Sequence, residues 1–143
     1  MNREILFRGK EINNEKWHYG DLLRFGNKRY INICLRFVDE YIVEEDKIAL
    51  YSFGNFIEVI PETIGRYTGL TDRNGVKIFE GDIIKGKGKN VFVVEYNQNI
   101  ASFITKGFGT LACPCMNIGT MEYYEAVGNI HDNPELLGGI END

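Results

Sequence analysis

The stretch YTGLTDRNGVKIFEGDII, residues 67–84, decides how the centre of this chain folds. Short apolar runs alternate in it with glycine, asparagine and aspartate, a pattern typical of strands joined by tight turns. Residues 66–70 are predicted to form one strand and residues 76–79 the next. The Asn74-Gly75 pair suits the two positive-φ positions of a type I′ hairpin turn, whose twist matches that of the flanking strands.

The other turn residues of this stretch predict backbone geometry rather than chemistry. Gly81 permits a bulge or a sharp bend that would strain a residue with a Cβ atom. The Asp82 carboxylate can accept a hydrogen bond from a nearby backbone amide in such a turn. With Gly69, Asn74 and Gly75 these residues form a structural motif, and no catalysis is needed to explain it.

Strand patterns continue on the N-terminal side. Residues 17–25 and 30–37 are predicted strands joined by a turn, and the apolar-polar alternation at 30–37 indicates a strand with one buried face. Residues 56–60 form a strand that ends at Pro61, because proline cannot donate to a ladder. The charged run that starts at Glu44 is either a solvated turn or the beginning of one helical stretch.

Strand patterns also continue on the C-terminal side. Residues 91–96 and 101–105 are predicted strands, and the last strand lies within residues 123–130. Asp132 or Asn133 is expected to cap a short helical turn. The predicted fold class is therefore mainly β, with small antiparallel sheets and a short C-terminal helical turn.

The length of 143 residues predicts a single domain over residues 1–143, since domains cluster at roughly 100–150 residues. Within it the chain can be divided into lobes at residues 1–60 and 61–137. Residues 7–9 with Gly20-Asp21 resemble residues 67–69 with Gly81-Asp82, an aromatic-x-Gly followed by Gly-Asp. If this echo is structural, each half begins with a hairpin that leads into a Gly-Asp strand.

Charge and hydropathy exclude some classes of protein. The net charge of −5 weighs against a large basic surface for duplex DNA. No apolar run approaches the ~18 residues that a membrane helix needs, so no membrane partner is expected. The N-terminal sequence MNREILFRGKEINN is interrupted by charges and does not resemble a signal peptide. The expected location is the cytoplasm.

The residues that most often carry chemistry are few. Cys113 and Cys115 have a C-x-C spacing, which differs from the C-x-x-C spacing of redox and zinc sites, and Cys34 stands alone. These cysteines are interpreted as reduced thiols without a special role. His18 and His131 are interpreted as surface or capping residues. Because no nucleophile, base and orienting group stand in a diagnostic pattern, we expect no enzyme, no cofactor and no metal.

A basic turn offers an alternative function. Lys85, Lys87 and Lys89 alternate with glycine and could contact the phosphates of a nucleic acid. Aromatic side chains that could stack on bases follow on the next strands: Phe92, Tyr96 and Phe103. The competing interpretation is that the lysines keep the turn soluble while the aromatic residues fill the core. The acidic overall charge favours this second interpretation.

Four segments carry a family resemblance: FRGK at residues 7–10, WHYGDLL at 17–23, VIPETIGRYTGLTDRNGVKIFEGDII at 59–84 and VGNIHDNPELL at 127–137. On these segments the chain resembles the YopX family, found in phages and prophages of Gram-positive bacteria. The segments cover both ends and the centre of the chain, and the central one is long and specific. Residues 41–56 and 107–122 take no part in the resemblance.

The resemblance implies a mainly β protein of uncharacterised function, with no catalytic residues to transfer. It also implies self-association, so a homo-oligomer is expected. By analogy, residues 81–130 are similar to a small SH3-like barrel. The function expected is that of a non-catalytic phage accessory protein that binds an unknown phage or host protein, copies of itself included. Nucleic-acid binding is the less favoured alternative.

Overall fold

The computed structural model describes four ranges of the chain: 4–33, 56–86, 91–107 and 123–137. The chain divides into two compact units, Met1–Arg66 and Tyr67–Asp143. The structure is mainly β, as predicted, and its strands are β1 (Phe7–Lys10), β2 (Trp17–Phe25), β3 (Lys28–Asn32), β4 (Phe56–Val59), β5 (Gly65–Thr71), β6 (Lys77–Phe79), β7 (Asp82–Lys85), β8 (Val91–Asn97), β9 (Ser102–Gly107) and β10 (Glu125–Asn129). Within the described ranges, every helix is too short or too polar to span a membrane.

The first unit contains an antiparallel sheet in the order β4-β3-β2-β1-β5. One face of this sheet includes Ile31 and Val59, which are completely buried. On the other face Tyr19, Leu23 and Phe25 alternate along β2 and are exposed. Of the alternation predicted for residues 30–37, the described part shows Ile31 completely buried, but Asn32 on the predicted polar face is buried as well. Residues 34–37 lie outside the described residues.

Pro61 ends β4 as predicted. It begins a short 3-10 helix, Pro61–Thr63, directly after the strand. The hydroxyl of Thr63 accepts a hydrogen bond from the Lys10 backbone N–H at 2.9 Å and donates one to the Ile60 carbonyl at 2.6 Å. These bonds join the chain after β4 to the end of β1.

Strand β5 begins in the first unit and ends in the second, where it pairs with β6. The other strands of the second unit form an antiparallel sheet in the order β10-β7-β8-β9. One face of this sheet carries a buried cluster: Ile78, Ile84, Phe92 and Val94, with Leu70, Tyr124 and Ala126 packed against it. The opposite face carries a second cluster: Ile83, Val91 and Val93, with Ile130, Leu136 and Leu137 packed against it.

Because both faces are covered, the first four residues of β8 and the adjacent Ile83 and Ile84 of β7 are apolar without alternation. In the described ranges β9 and β10 each pair with one strand only, so these residues do not close the SH3-like barrel suggested by analogy. The short C-terminal helical turn is confirmed at residues 135–137. The Asn133 carbonyl accepts a hydrogen bond from the Leu136 N–H at 3.1 Å.

The internal echo between residues 7–21 and 67–82 is not a structural repeat. Gly20 lies in the middle of β2, opposite Phe7, whereas Gly81 lies in the turn that precedes β7. Gly69 has a positive φ of 88°, whereas Gly9 is not among the positive-φ glycines. The contact boundary between the units follows residue 66 rather than residue 60. The single domain over 1–143 stays a prediction.

Candidate interaction surfaces

The turn at the centre of the opening motif is organised by the Asp72 side chain. Its Oδ1 accepts hydrogen bonds from the N–H groups of Asn74 at 2.8 Å and Val76 at 2.9 Å. Its Oδ2 accepts one from the N–H of Ala126 at 2.9 Å. One carboxylate therefore holds the β5–β6 turn together and joins it to β10.

The predicted type I′ turn is wrong. That turn needs positive φ at both central residues, and in the described residues Asn74 is not among the non-glycine residues with positive φ. The Gly75 N–H instead donates to the Asp72 carbonyl at 3.0 Å, and Gly75 has a φ of 81°. The hairpin therefore has a three-residue loop, in which a turn is followed by a glycine in the left-handed backbone conformation. The Asp72 carboxylate favours it, because it binds the Asn74 and Val76 amides.

The environment of Asp72 lowers its pKa. Burial raises the pKa of this carboxyl, but the backbone N–H groups of Ala126, Val76 and Asn74 and the positive charge of Arg73 outweigh burial and hold the pKa below its usual value. A lowered pKa here has a structural cause, since three backbone donors surround the group. It does not indicate a catalytic acid.

The remaining residues of the predicted motif also serve the backbone. Gly69 and Gly81 have φ values of 88° and 93°. The Gly81 carbonyl accepts the Ile130 N–H at 2.9 Å. The predicted hydrogen bond of Asp82 is confirmed, because its Oδ2 accepts the Phe79 N–H at 2.7 Å. Asp82 is 5% exposed, so its carboxylate is not accessible to a large ligand.

The basic turn is only partly described. Lys85 is exposed at the end of β7, while Lys87 and Lys89 lie outside the described residues. Of the aromatic residues proposed to stack on bases, Phe92 is buried and packs edge-on against Tyr124 at 5.7 Å between ring centroids. Phe92 therefore belongs to the core and offers no face to a base.

The histidines make local contacts. His18 Nε2 lies 2.8 Å from Glu11 Oε1, and the His131 backbone N–H donates to Asn129 Oδ1 at 3.0 Å. In the four described ranges no group of three or more His, Cys, Asp or Glu side chains is placed to hold a metal ion. The cysteines lie outside these ranges: Cys34, Cys113 and Cys115.

A small cavity of about 130 Å³ lies in the first unit. Its lining combines two carboxylates with polar and apolar groups: Glu4, Ile5, Leu6, Tyr19, Gly20, Asp21, Asn32 and Ile33. Pockets for drug-sized ligands typically enclose about 300–1,000 Å³. This volume can accommodate only a small molecule.

The β9 edge, residues Ser102–Gly107, is the first candidate surface. Strand β9 pairs with β8 in continuous register over its whole length, and it pairs with no other strand in the described part of the chain. It contains no proline and no bulge. A regular edge strand of this kind is a template for pairing with another chain.

The basic tip, defined as Arg24, Phe25, Lys28 and Arg29, is the second candidate surface. These residues flank the turn between β2 and β3. Phe25 is 74% exposed, and the turn is open at Gly26, where an added Cβ would meet nothing within 4 Å. The sequence prediction treated this segment as an ordinary turn. An aromatic residue among three basic ones was the signal that could have identified it.

Comparisons with known proteins agree with this fold. The crystal structure of protein EF1440 from Enterococcus faecalis is similar, with a TM-score of 0.52 and 23% sequence identity over 95% of this chain and 99% of that chain. At this identity the likeness shows the fold alone. No curated protein matches the chain. A family model described as YopX protein matches residues 6–138, which include all the described strands. The chain therefore belongs to the YopX family.

Proposed function

We propose that this chain is a non-catalytic accessory protein of a phage or prophage, which acts by binding protein. Its first partner is a second copy of itself, and the β9 edge forms the contact. The single observation that carries the proposal is the regular, bulge-free register of β9 with β8, its one neighbour among the described strands. Two antiparallel β9 strands related by a two-fold axis would join the sheets of two copies into one continuous sheet.

The other edge strands support pairing less well. Strand β10 is interrupted by a bulge between Ala126 and Gly128, and bulges hinder edge-to-edge pairing. Strand β4 has only four residues, and its Val59 forms a bridge with Glu11. Among the described edges, β9 combines length with regularity.

A lysine at position 104 tests the contact. Ile104 lies opposite Glu95 on β8, so Ile104→Lys gains a cross-strand partner and the fold tolerates it. In a β9–β9 pair, however, it adds a second positive charge beside Lys106 on each strand, and like charges across a strand pair are destabilising. We expect the wild type to form dimers by sedimentation velocity and the variant to shift toward monomer.

Ile100→Lys provides the matched control. Ile100 is 57% exposed in the turn before β9 and belongs to no strand, so the same change of charge should leave the dimer intact. A wild-type protein that stays monomeric at every concentration would contradict self-association. Dimers that survive Ile104→Lys would place the contact on another surface.

The non-catalytic part of the proposal rests on the local roles of the polar residues. The buried carboxylates of Asp72 and Asp82 accept backbone hydrogen bonds, which occupies the groups that could otherwise act as acids or bases. Turnover of a phosphodiester, peptide or ester substrate by the purified chain would overturn this part of the proposal.

The alternative, nucleic-acid binding at Lys85, Lys87 and Lys89, keeps Tyr96 and Phe103 as candidate aromatic residues. Tyr96 is 44% exposed, and its ring packs against that of Phe103 at 5.3 Å. If the lysines contact phosphates, replacing all three with alanine should weaken binding and reduce its dependence on salt. Unchanged affinity would exclude this site.

A further inference from the structure

We propose that the basic tip binds single-stranded nucleic acid, with Arg24, Lys28 and Arg29 contacting phosphates and Phe25 stacking on a base. This activity lies in the first unit and is separate from self-association at the β9 edge. It is also separate from the lysine turn that follows β7. Three observations on the tip support it: the sign of its charges, their register and the exposure of its aromatic ring.

All the charged side chains of the basic tip are positive, although the protein as a whole is acidic. The chain carries a net charge of −5, yet residues 22–33 contain Arg24, Lys28 and Arg29 and no acidic residue. In the described ranges the ion pairs with carboxylates are those of His18 and Arg73, and none involves these basic residues. Their charges are therefore available to an anionic partner.

The register places two of these charges side by side. Arg24 lies directly opposite Arg29 in the β2–β3 pair. Like charges in directly opposed positions destabilise a strand pair, and a phosphate between them would relieve the repulsion. The Arg29 Nη1 donates to the Gly26 and Lys28 carbonyls, each at 3.0 Å, and these bonds hold its guanidinium at the turn.

The aromatic ring lies beside the third charge, on the face of the hairpin opposite to Arg24 and Arg29, so a bound strand would pass around the tip to contact both faces. Phe25 lies directly opposite Lys28, and at 74% exposure it is the most exposed of the large hydrophobic residues in the described ranges. Tyr19, 46% exposed, lies on the same face of β2. An aromatic face next to a cation is the arrangement that binds one nucleotide, by stacking on the base and contacting the phosphate.

A single strand fits this surface better than other anionic partners. Duplex DNA needs a broad basic footprint, and the acidic balance of the chain does not supply one. An anionic bilayer needs apolar area at the point of insertion. Here Phe25 is the apolar residue at the tip, while Leu23 and Tyr19 lie further back along β2. In a single strand, the bases are free to stack on one exposed ring.

Fluorescence anisotropy of a labelled oligothymidylate, titrated with the full chain at several salt concentrations, tests the proposal. With three phosphate contacts, the slope of log affinity against log salt should be about −2. Phe25→Ala should weaken binding about tenfold and leave the slope unchanged, because stacking releases no counterions. Arg24→Gln should weaken binding and reduce the slope by about 0.7.

Two exposed residues outside both candidate nucleic-acid sites provide controls. Lys16→Gln removes a cation and Ile100→Ala removes an apolar side chain, and neither should change affinity. Circular dichroism would confirm that each variant remains folded. The proposal fails if the oligonucleotide does not bind at low salt, or if Lys16→Gln weakens binding as much as Arg24→Gln. If the protein floats with phosphatidylserine vesicles but does not bind the oligonucleotide, the proposal is overturned in favour of a lipid surface.

Discussion

At the scale of single residues, Asp72 accounts for the density of polar side chains in the central motif. A loop that reverses the chain leaves backbone N–H groups without strand partners, and buried donors need acceptors. The Asp72 carboxylate accepts three of them, two within its own turn and one from Ala126. The residue that first suggests chemistry is thus one that stabilises the fold.

Substitution of Asp72 should lower the stability of the fold, and the loss should be larger at neutral pH than at acidic pH. Asp72→Ala leaves buried amides unpaired and should cost about 3 kcal/mol, while Asp72→Asn, which keeps one acceptor oxygen, should cost about 1–2 kcal/mol. The folded-state pKa lies below the unfolded value of about 3.9. The Asp72 charge therefore stabilises the fold at pH values above the unfolded pKa. This contribution is lost as the pH falls through the folded-state pKa.

Urea denaturation of wild type and Asp72→Asn at neutral and acidic pH measures this effect. The difference in unfolding free energy between the two proteins should shrink as the pH falls below about 4. A difference that stays constant with pH would show that the charge of Asp72 does not contribute. Glu135→Gln is a suitable control, because Glu135 is an exposed carboxylate in the C-terminal helical turn and is not among the groups that shift the Asp72 pKa.

Two glycines of the β2–β3 hairpin should respond differently to alanine. At Gly20 an added Cβ would lie 2.0 Å from the Asn32 carbonyl oxygen, so strand β3 would have to move. At Gly26 the Cβ would meet nothing, and only the positive φ of 61° opposes it. We expect Gly26→Ala to cost about 1–2 kcal/mol and Gly20→Ala to cost more than about 2 kcal/mol. Thermal unfolding of both variants shows which of them loses more stability, and equal losses would contradict this expectation.

At the scale of elements, the strands of the second unit are held mainly by packing on both faces of their sheet. Strand β6 has only three residues and a shifted register with β5, so few ladder hydrogen bonds hold it. Its Ile78 is nonetheless completely buried in the cluster with Ile84 and Phe92. The apolar contacts of this side chain therefore account for the position of the strand.

Truncation of Ile78 should show that dependence. Ile78→Ala removes a completely buried side chain and should cost about 2–5 kcal/mol. Val76→Ala, at a residue 52% exposed in the preceding loop, should change stability by less than about 0.5 kcal/mol. Denaturant titrations of the two variants compare these values. Similar losses would indicate that the loop, rather than the cluster, holds β6.

At the scale of the whole molecule, strand β5 belongs to both compact units, because the boundary falls between Arg66 and Tyr67. Its first residues pair with β1, and Tyr67 and Thr71 pair with β6. The single domain over 1–143 predicted from the sequence requires both units to unfold together.

Calorimetry tests that prediction. A single cooperative domain of 143 residues should unfold in one transition, with an enthalpy of roughly 100 kcal/mol and equal calorimetric and van't Hoff values. Two separate transitions would instead identify Met1–Arg66 and Tyr67–Asp143 as domains that unfold independently. A fall in the midpoint on dilution would report the proposed dimer.

Much of the fold was predictable, because alternation and turn residues are local properties of the chain. The end of β4 at Pro61 and the hydrogen bond of Asp82 followed from one residue each. The type of the Asn74 turn could not be predicted in the same way, because the Asp72 carboxylate changed the preferred backbone conformation. The proposed stacking role of Phe92 failed because the sheet is covered on both faces.

The sequence by itself determined the mainly β class, most of the strands and the family, since these depend on patterns within short segments and on extended similarity. Only the tertiary structure decided which side chains are accessible. Phe92 and Phe25 are the same residue type and both belong to strands, yet one is 6% exposed and the other 74%. Burial depends on contacts between segments far apart in the chain, so the candidate surfaces at β9 and at the basic tip emerged only from the folded molecule.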